Sequence, residues 1–486
     1  MLYLYLRRSQ RSASQLLALL ILLNSCLFIT LVHHLLASAD LATAITPFVQ
    51  RLADQDDTRA HRRDASQSVL HSPSTAHSPC APLDDACARY GHDFVIRSRA
   101  YEGLNTRVRR VLHDAAAGRP VKVGIIGGSV TFGQGVPRRN ETWPEVFGAW
   151  WRERFPASTL TLVNGAVPAT GSGYWSMCFR EHIDEDVDLV LTELAINDQR
   201  HDADAEWFEW LVRQLLELPK SPAVVHLQVF ALSPDFAALS VGGDLHMGVA
   251  NYYDTPVISL RNALLPRIFS ASDAVREYFS IDRFGKLDMK HINARGHKIL
   301  ADLLASHLER QLWISQPHVA QHDTVPPLRM FQQYGSPLPP RLQPYCASTR
   351  SQRTPLVPTV NDGRWKTWSH TAPGGSTKTY IVAKEPGAKV GFSVPIRDEG
   401  GLGRVRIQGL RSATFGLGIA KCWVDDDEYK AVRIDGYWTT KLNVASTWVV
   451  ATNVAAGEHM LWCELTTHSN DPQHRTEFRI VAVDAA

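Results

Sequence analysis

Apolar and polar positions divide the chain into regions with different patterns. Between 91 and 315, short apolar runs alternate with segments of helical periodicity, which is typical of a parallel sheet covered by helices on both faces. From 365 to 486, short alternating runs are separated by Gly, Asp and Asn residues, which predicts an all-β sandwich or jelly roll. Residues 316–364 are rich in Pro, Gln and Ser, and this composition predicts a linker.

Individual elements can be assigned in both folded regions. The strands of the first region are short runs of apolar residues, and its helices repeat apolar positions along one face. The predicted strands are 122–126, 160–164, 187–193 and 224–230, and the predicted helices are 145–155, 207–217 and 293–312. The strands predicted for the C-terminal region are 379–382, 390–394, 404–407, 416–422, 431–434, 447–451, 460–465 and 478–483. The expected fold class is therefore α/β, followed by an accessory all-β domain.

The first 39 residues predict a membrane segment. Arginines between positions 7 and 11 precede the run 16–36, which has no Asp, Glu, Lys or Arg. A helix of this length spans roughly 30 Å, the thickness of a bilayer core. Positive charge on its N-terminal side predicts a single-pass type II protein of the Golgi or cell surface, with 40–90 as a flexible stem. The alternative is a signal peptide cleaved after Ala39, which would make the protein secreted.

Composition narrows the possible functions. The 486 residues are 44% hydrophobic and 21% charged, an ordinary globular mixture that excludes whole-chain disorder and a multi-pass membrane protein. Lys and Arg number 51 against 49 Asp and Glu, so the whole chain has no field that would attract nucleic acid. We therefore expect no nucleic-acid partner. The oligomeric state is left open.

The cysteines fit an exported protein. Seven are present, and without Cys26 in the membrane segment six remain, enough for three disulfides in fifteen possible pairings. We expect Cys422 to bond to Cys463, because both lie in alternating apolar runs of the same predicted domain. No Cys and His spacing resembles a zinc site. Asn140 and Thr142 form an N-glycosylation sequon, which would be used in the secretory pathway.

Ser129 is the strongest candidate nucleophile. It follows the predicted strand 122–126 in the glycine-rich turn 127–133. Ligands of parallel sheets bind beyond the carboxyl ends of the strands, and glycines there allow a substrate to approach the backbone N–H groups. The alternatives are a plain turn or a phosphate-binding loop, although the lysine of such a loop is absent.

Further along the chain lie groups that a serine nucleophile needs. A serine hydroxyl is a weak nucleophile until an imidazole accepts its proton and a carboxylate orients that imidazole. Asp288 and His291 offer this pair in a loop before the helix 293–312. Asn197 and the backbone of the loop 164–173 offer donors for a developing oxyanion. Each of these patterns has a structural alternative as a turn, a helix cap or a flexible loop.

Taken together and in this order, the blocks make residues 120–310 resemble the SGNH hydrolase superfamily, also called GDSL esterases and lipases. The four blocks of that family match 127–130, 164–173, 195–198 and 288–291. The resemblance implies a three-layer α/β/α fold. It also implies acyl-ester chemistry without a metal or an organic cofactor.

The resemblance further implies a role for each site residue. Ser129 would attack the ester carbonyl, His291 would carry the proton, and Asp288 would hold the imidazole. The oxyanion would be bound by the backbone N–H of Ser129, the side-chain amide of Asn197 and a backbone N–H of the second block.

The chain departs from the family pattern at two places. The acidic residue that precedes the nucleophile is replaced by Gly128. The glycine of the second block falls on Ala169, with Gly171 two places later, so either backbone N–H can be the donor. Ala169 would serve in this role if its φ stays negative.

The substrate is indicated only indirectly. We expect deacylation, and specifically deacetylation, of a glycan or cell-wall polysaccharide, because an exported enzyme on a stem meets such polymers. Sugars stack on exposed tryptophans, although tryptophans also fill sandwich cores. Six of the 13 tryptophans lie in the predicted accessory domain: Trp365, Trp368, Trp423, Trp438, Trp448 and Trp462.

Three alternatives remain open at this stage. A lipase or phospholipase acting on a lipid ester would need an apolar acyl tunnel, which residues 230–254 could form. An O-acyltransferase would pass the acyl group to a sugar hydroxyl. An inert hydrolase domain would leave a membrane-tethered glycan-binding protein. In the favoured interpretation, the domain 365–486 is separable, and residues 91–330 alone retain activity on small esters.

Overall fold

The structure, a computed structural model, describes residues 80–82, 84–233, 239–271, 273–282, 284–314, 324–371, 377–397 and 401–486. The predicted membrane segment 1–39 and most of the predicted stem lie outside the described residues. Over the described ranges, none of the helices combines the length and the apolar character needed to cross a bilayer. These ranges belong to one compact unit, Ser78–Ala486.

Helices and short strands alternate in the first half of the described chain, as the sequence pattern predicts. The helices are α1 Asp85–Tyr90, α2 His92–Ser98, α3 Thr106–Ala116, α4 Ser129–Phe132, α5 Trp143–Arg154, α6 Ser172–Cys178, α7 Asp202–Leu216, α8 Gly243–Tyr252, α9 Leu260–Ser270, α10 Ala274–Tyr278 and α11 Ala294–Ile314. The strands are β1 Arg99–Tyr101, β2 Val121–Gly127, β3 Leu160–Asn164, β4 Leu189–Glu193, β5 Ala223–Gln228, β6 Val257–Ser259, β7 Phe279–Ile281 and β8 Leu287–Ile292.

Six of these strands form one sheet in the order β1-β6-β5-β4-β2-β3. All neighbours pair in parallel except β1, which runs antiparallel to β6 at one edge. The two faces of β2 pack into separate clusters, with Val123 and Ile125 in one and Ile126 in the other. Leu304 of α11 lies in the first cluster and Trp175 of α6 in the second, so helices cover both faces. This confirms the predicted α/β class.

The segment with Asp288 and His291 is a strand rather than the predicted loop. It forms β8, which pairs antiparallel with β7 in a separate two-stranded sheet. The following helix, α11, begins at Ala294 because the Asn293 side chain accepts a hydrogen bond from Gly296 N at 3.1 Å, as a helix cap does. The cap places the end of β8 next to the start of a long buried helix.

The second half of the described chain is all-β. Its strands are β9 Tyr345–Ser348, β10 Val360–Asn361, β11 Lys366–Thr371, β12 Thr377–Ala383, β13 Lys389–Ile396, β14 Val405–Arg411, β15 Ile419–Val424, β16 Val432–Asp435, β17 Val444–Ala451, β18 Gly457–Leu465 and β19 Phe478–Ala485. One sheet has the order β10-β13-β18-β15-β16, and the other has the order β11-β12-β19-β14-β17 with β9 on β19. Each of the eight predicted runs overlaps one of β12–β19, which confirms the predicted all-β region.

The predicted linker 316–364 differs from expectation, because part of it belongs to the sandwich. Within it, β9 pairs with β19 and β10 pairs with β13. These strands are four and two residues long, too short to show an alternating pattern. The adjoining strand β11 was not predicted either, because all six of its residues are exposed and their sequence lacks a repeating apolar position.

Three disulfides are present in the described chain. Cys422 and Cys463 are bonded, with an S–S distance of 2.04 Å, and they face each other across the β15–β18 ladder. Cys178 at the end of α6 is bonded to Cys346 in β9. The third bond joins Cys80 to Cys87.

Contacts between α6 and the sandwich contradict the expectation that the C-terminal domain is separable. The guanidinium of Arg406 in β14 is fully buried and donates to Asp484 Oδ1 at 2.5 Å and to the Gly173 carbonyl in α6 at 2.9 Å. It also donates to Ser176 Oγ at 3.2 Å. Removing the sandwich would take this donor from the Gly173 carbonyl and the Ser176 hydroxyl and would expose α6, all of whose residues are buried.

Candidate active site

The carboxyl ends of neighbouring strands bring the predicted site residues to one edge of the sheet. Ser129 is the first residue of α4 and follows β2, while the loop 165–171 follows β3 and Asn197 follows β4. Since β2 lies between β3 and β4, these segments are neighbours in space. The arrangement is the one expected for a ligand site in a parallel sheet.

Ser129, His291 and Asp288 form a continuous chain of hydrogen bonds. Ser129 Oγ lies 2.9 Å from His291 Nε2. His291 Nδ1 lies 2.6 Å from Asp288 Oδ2. These separations are those of direct hydrogen bonds, so the structure brings the three predicted residues together across 162 positions of sequence.

The charge of Asp288 determines which nitrogen of His291 carries a proton. Burial raises the pKa of Asp288, but the hydrogen bonds from His291 and from the backbone of Lys290, together with the electrostatic attraction of both residues, outweigh burial and hold that pKa below its ordinary value. Asp288 Oδ1 also accepts from the backbone N of Lys290 at 3.0 Å. An ionised carboxylate only accepts, so His291 Nδ1 carries the proton and Nε2 is free to accept from the Ser129 hydroxyl.

Asn197 lies against the turn that holds the nucleophile. A Cβ added at Gly128 would collide with Asn197 Nδ2, so only glycine fits immediately before Ser129. Asn197 Nδ2 donates to the carbonyl of Thr170 at 2.7 Å, and this bond orients the amide. The amide has two N–H groups, so one of them is available to a ligand.

The second-block loop has an unexpected backbone conformation at Ala169. Its φ is +69°, so the condition of a negative φ, under which Ala169 would serve as the donor, is not met. Gly171, by contrast, is extended at φ −119°, and a Cβ there would collide with Asp198 Oδ1. Within the described residues, neither Ala169 N nor Gly171 N donates to a protein acceptor. Both N–H groups are therefore unengaged in the described part of the chain, and of the two residues only Gly171 has a negative φ.

Glu193, to which sequence reasoning gave no role, supports the nucleophile turn from below. It ends β4, is buried, and accepts from Thr131 Oγ1 at 2.9 Å. Burial raises its pKa to about 8, although hydrogen bonds from Thr131 and from the backbone of Gly128 oppose the shift. At neutral pH most of this carboxyl is protonated. An acidic residue at the carboxyl end of a short strand whose other residues are uncharged was the available signal.

Asp198 was also missed, because its partners lie far away in sequence. Its Oδ1 accepts from Ser172 N at 2.7 Å, and its Oδ2 accepts from Ser172 Oγ. His246 Nε2 lies 2.7 Å from the same Oδ2. Asp198 thus ties the start of α6, and with it the loop that contains Ala169, to the turn of Asn197.

The candidate site opens into a cleft of about 290 Å³ whose wall comes partly from the β-sandwich. This contribution was not expected from the sequence, because those residues lie more than 80 positions from any predicted site residue. The α/β region contributes Ser129, Val130, Gln134, Ala169, Glu193, Ile196, Asn197, Asp288, Lys290 and His291, and the sandwich contributes Lys378, Lys441, Leu442, Asn443 and Val444.

The remaining residues named from the sequence have simpler surroundings. Asn140 is exposed in a short 3-10 turn, and its glycosylation stays a prediction. The described residues of the segment 230–254 do not line the cleft, and they include α8. Among the C-terminal tryptophans, Trp365 and Trp423 are buried, whereas Trp368 is 42% exposed. Tryptophans therefore occur both in the sandwich core and at its surface.

No protein-family model matches this sequence, and no curated protein sequence matches it either. Among solved structures, a two-domain esterase (CEX) active on acetylated mannans is similar, both alone and co-crystallized with mannopentaose. Each comparison has 20% identity and a TM-score of 0.59, and covers 80% of this chain and 97% or 98% of the other. An acetylxylan esterase from Geobacillus stearothermophilus matches 39% of this chain and 94% of its own, with 15% identity and a TM-score of 0.30. The chain has the fold of a two-domain esterase.

Proposed function

We propose that this protein is a serine-dependent carboxylic ester hydrolase of the SGNH type that removes acetyl groups from a glycan. The observation that carries the proposal is the hydrogen-bonded chain from Ser129 Oγ through His291 to Asp288, with distances of 2.9 and 2.6 Å. This chain supplies a nucleophile, a general base and a group that orients the base.

The reaction follows from these atoms. Ser129 Oγ attacks the ester carbonyl while its proton passes to His291 Nε2, and Asp288 stabilises the imidazolium that forms. The tetrahedral intermediate collapses when His291 gives the proton to the leaving sugar oxygen, and the acyl group stays on Ser129. Water then attacks the acyl-enzyme with His291 as the base, which releases acetate and restores Ser129.

The oxyanion of each tetrahedral intermediate needs N–H donors that point at the former carbonyl oxygen. Candidates are the backbone N–H of Ser129, the side-chain amide of Asn197 and the N–H of Ala169 or Gly171. The rigid placement of Asn197 between Gly128 and Thr170 supports its inclusion, because preorganised donors stabilise developing charge without reorganising.

Two observations support a glycan ester as substrate. The cleft is lined by charged and polar side chains together with a few apolar residues, which are Val130, Ala169, Ile196, Leu442 and Val444. The similar two-domain esterase is named as active on acetylated mannans. A lipase would need an extended apolar channel, and the described part of 230–254, the segment that could have formed one, is not among the lining of the cleft. The export of the enzyme, its type II anchor and its glycosylation at Asn140 are parts of the same proposal.

The test is to incubate the full chain with a fluorophosphonate probe and, separately, with acetylated polysaccharides. We expect the probe to label Ser129 and acetate to be released, and Ser129→Ala to lose both while keeping its melting temperature. The control variant is Ser270→Ala, because Ser270 is an exposed residue at the end of α9. Ser172→Ala is unsuitable as a control, because the Ser172 hydroxyl donates to Asp198. A folded wild-type enzyme that neither reacts with the probe nor releases acetate would support an inert glycan-binding protein instead.

Acyl transfer is distinguished in the same experiment. If a sugar hydroxyl outcompetes water at the acyl-enzyme, acetate release stays low while acetylated acceptor oligosaccharides accumulate. Long-chain lipid esters added in a parallel reaction measure the lipase alternative. We expect acetate esters to be cleaved much faster than long-chain esters.

A further inference from the structure

The cleft at Ser129 is lined by three lysines from separate parts of the fold. Lys290 lies on β8, Lys378 on β12, and Lys441 in the segment before β17. Lys290 Nζ donates to the carbonyl of Lys441 at 3.3 Å, which joins the catalytic strand to the sandwich. The remaining polar lining beside the catalytic residues is neutral: Gln134 and Asn443.

The carboxyl groups of the cleft do not neutralise these lysines. Asp288 is engaged by His291 Nδ1 and by the backbone of Lys290. Glu193 is buried beneath the nucleophile turn and accepts from Thr131. Its carboxyl is mostly protonated at neutral pH because burial raises its pKa to about 8. The net charge of the cleft lining is therefore positive.

Lys378 has an especially unbalanced environment. It is half-buried, and within the described residues no carboxylate acts on its ammonium. Its charged neighbour is Arg350, another cation, whose guanidinium stacks over the Tyr380 ring at 4.6 Å. Arg350 Nε is buried without a hydrogen-bond partner in the described chain. Two adjacent cations removed from water favour binding of an anion.

We propose that the cleft takes an acylated glycan that carries carboxylate or sulfate groups, with one such group bound by Lys378 and Lys441 while the ester lies at Ser129. An ammonium is a compact point charge that suits either anion. The inference rests on the proposed ester hydrolysis and adds to it the charge of the substrate.

The test compares three acetylated polymers of matched length and acetyl content: a polyuronate, a sulfated glucan and a neutral glucan. The measured quantity is the ratio of kcat/KM on each acidic polymer to kcat/KM on the neutral one, at low salt, with the full chain. A charge-assisted contact predicts a ratio of roughly ten. Addition of about 0.5 M NaCl should bring the ratio toward one, because salt screens accessible charges.

The variants Lys378→Gln, Lys441→Gln and their combination should lower the ratio, and the double variant should lower it most. Lys430→Gln is the matched control, because Lys430 is an exposed lysine of the sandwich that pairs with Asp427 and lies outside the cleft lining. It should leave the ratio at the wild-type value. Circular dichroism melting curves check that each variant is folded, and the salt dependence of the wild-type ratio needs no variant.

The outcomes separate this inference from the proposed function. Equal kcat/KM on acidic and neutral polymers at low salt, with Ser129-dependent acetate release intact, would overturn the inference alone. Absence of turnover on every ester would overturn the proposed function. In that case calorimetry still measures the affinity of the cleft for an unacetylated oligouronate and for a neutral oligosaccharide. Equal affinities would overturn the inference. A preference for only the uronate or only the sulfated polymer identifies the source of the anion.

Discussion

The backbone N–H of Ala445, in β17 of the sandwich, donates to the carbonyl of Ala169 at 2.8 Å. Ala169 lies in the loop 165–171, which contains the candidate oxyanion donors. A strand of the sandwich therefore contacts this loop directly. The same strand contacts α6, where a Cβ on Gly173 would collide with Thr447 Oγ1. The sandwich therefore supports the loop 165–171 in addition to lining the cleft.

The conformation of Ala169 leads to a first prediction. A non-glycine residue at positive φ costs roughly 1–2 kcal/mol, so Ala169→Gly should keep activity and leave the free energy of unfolding unchanged or slightly higher. Gly171→Ala should instead lower both activity and stability, because its Cβ would meet Asp198 Oδ1. Urea unfolding and acetate release measure both. A harmful Ala169→Gly with a harmless Gly171→Ala would mean that the loop has a different conformation.

The neighbours Asn197 and Asp198 should have separable effects. Asn197→Ala should lose roughly 10²–10³ in kcat with little change in melting temperature, because one oxyanion donor is removed. Asp198→Ala should lower the melting temperature, because it leaves Ser172 and His246 without their buried acceptor. Steady-state kinetics and calorimetric melting separate the two. Comparable kcat losses without any difference in melting would show that the donor has been misplaced.

Glu193 should make stability depend on pH. Its folded-state pKa, about 8, lies above the ordinary 4.5, so the folded state binds a proton more tightly than the unfolded state. This contribution to stability is fully present below pH 4.5 and is lost as the pH rises through 8.

Replacement with Gln removes that titration, so the free energy of unfolding of Glu193→Gln should fall less between pH 5 and 8 than that of the wild type, at roughly 1.4 kcal/mol per unit of pKa shift. Urea unfolding at several pH values measures the two slopes. Glu153→Gln, an exposed change on α5, is the control and should follow the wild type. Parallel wild-type and Glu193→Gln curves would contradict the prediction.

Arg406 should be essential for folding of the two regions as one unit. Arg406→Ala leaves the buried carboxyl of Asp484 without its cation, which should cost about 3–5 kcal/mol in the free energy of unfolding. The combined change Arg406→Met with Asp484→Leu should cost less, because no unpaired charge remains. Arg404→Ala, a half-exposed control 3.6 Å from Glu206, should cost about 1 kcal/mol or less. Equal effects of the two single changes would mean that the Arg406 contacts do not matter.

Much of the candidate site could be predicted from local sequence. Ser129 follows a short apolar strand. A run of apolar residues can be recognised from the local sequence alone, so the position of Ser129 at the end of a strand was predictable. Asp288 and His291 are close in sequence, and the chemistry that a serine needs restricts the choice of partners. The sandwich strands β12–β19 were predictable for the same reason, since each repeats apolar positions within a few residues.

What the tertiary structure decided depends on contacts between distant residues. The bond from Cys178 to Cys346 spans 168 positions, and six cysteines allow it as one of many pairings. Ala169 has a left-handed backbone and lies between β3 and β17. Lys378 and Lys441 reach the cleft because the sandwich packs against α6. Such contacts leave no periodic signal along the chain. The sequence by itself predicted the candidate catalytic residues and determined the fold class, whereas packing decided that both regions build the cleft.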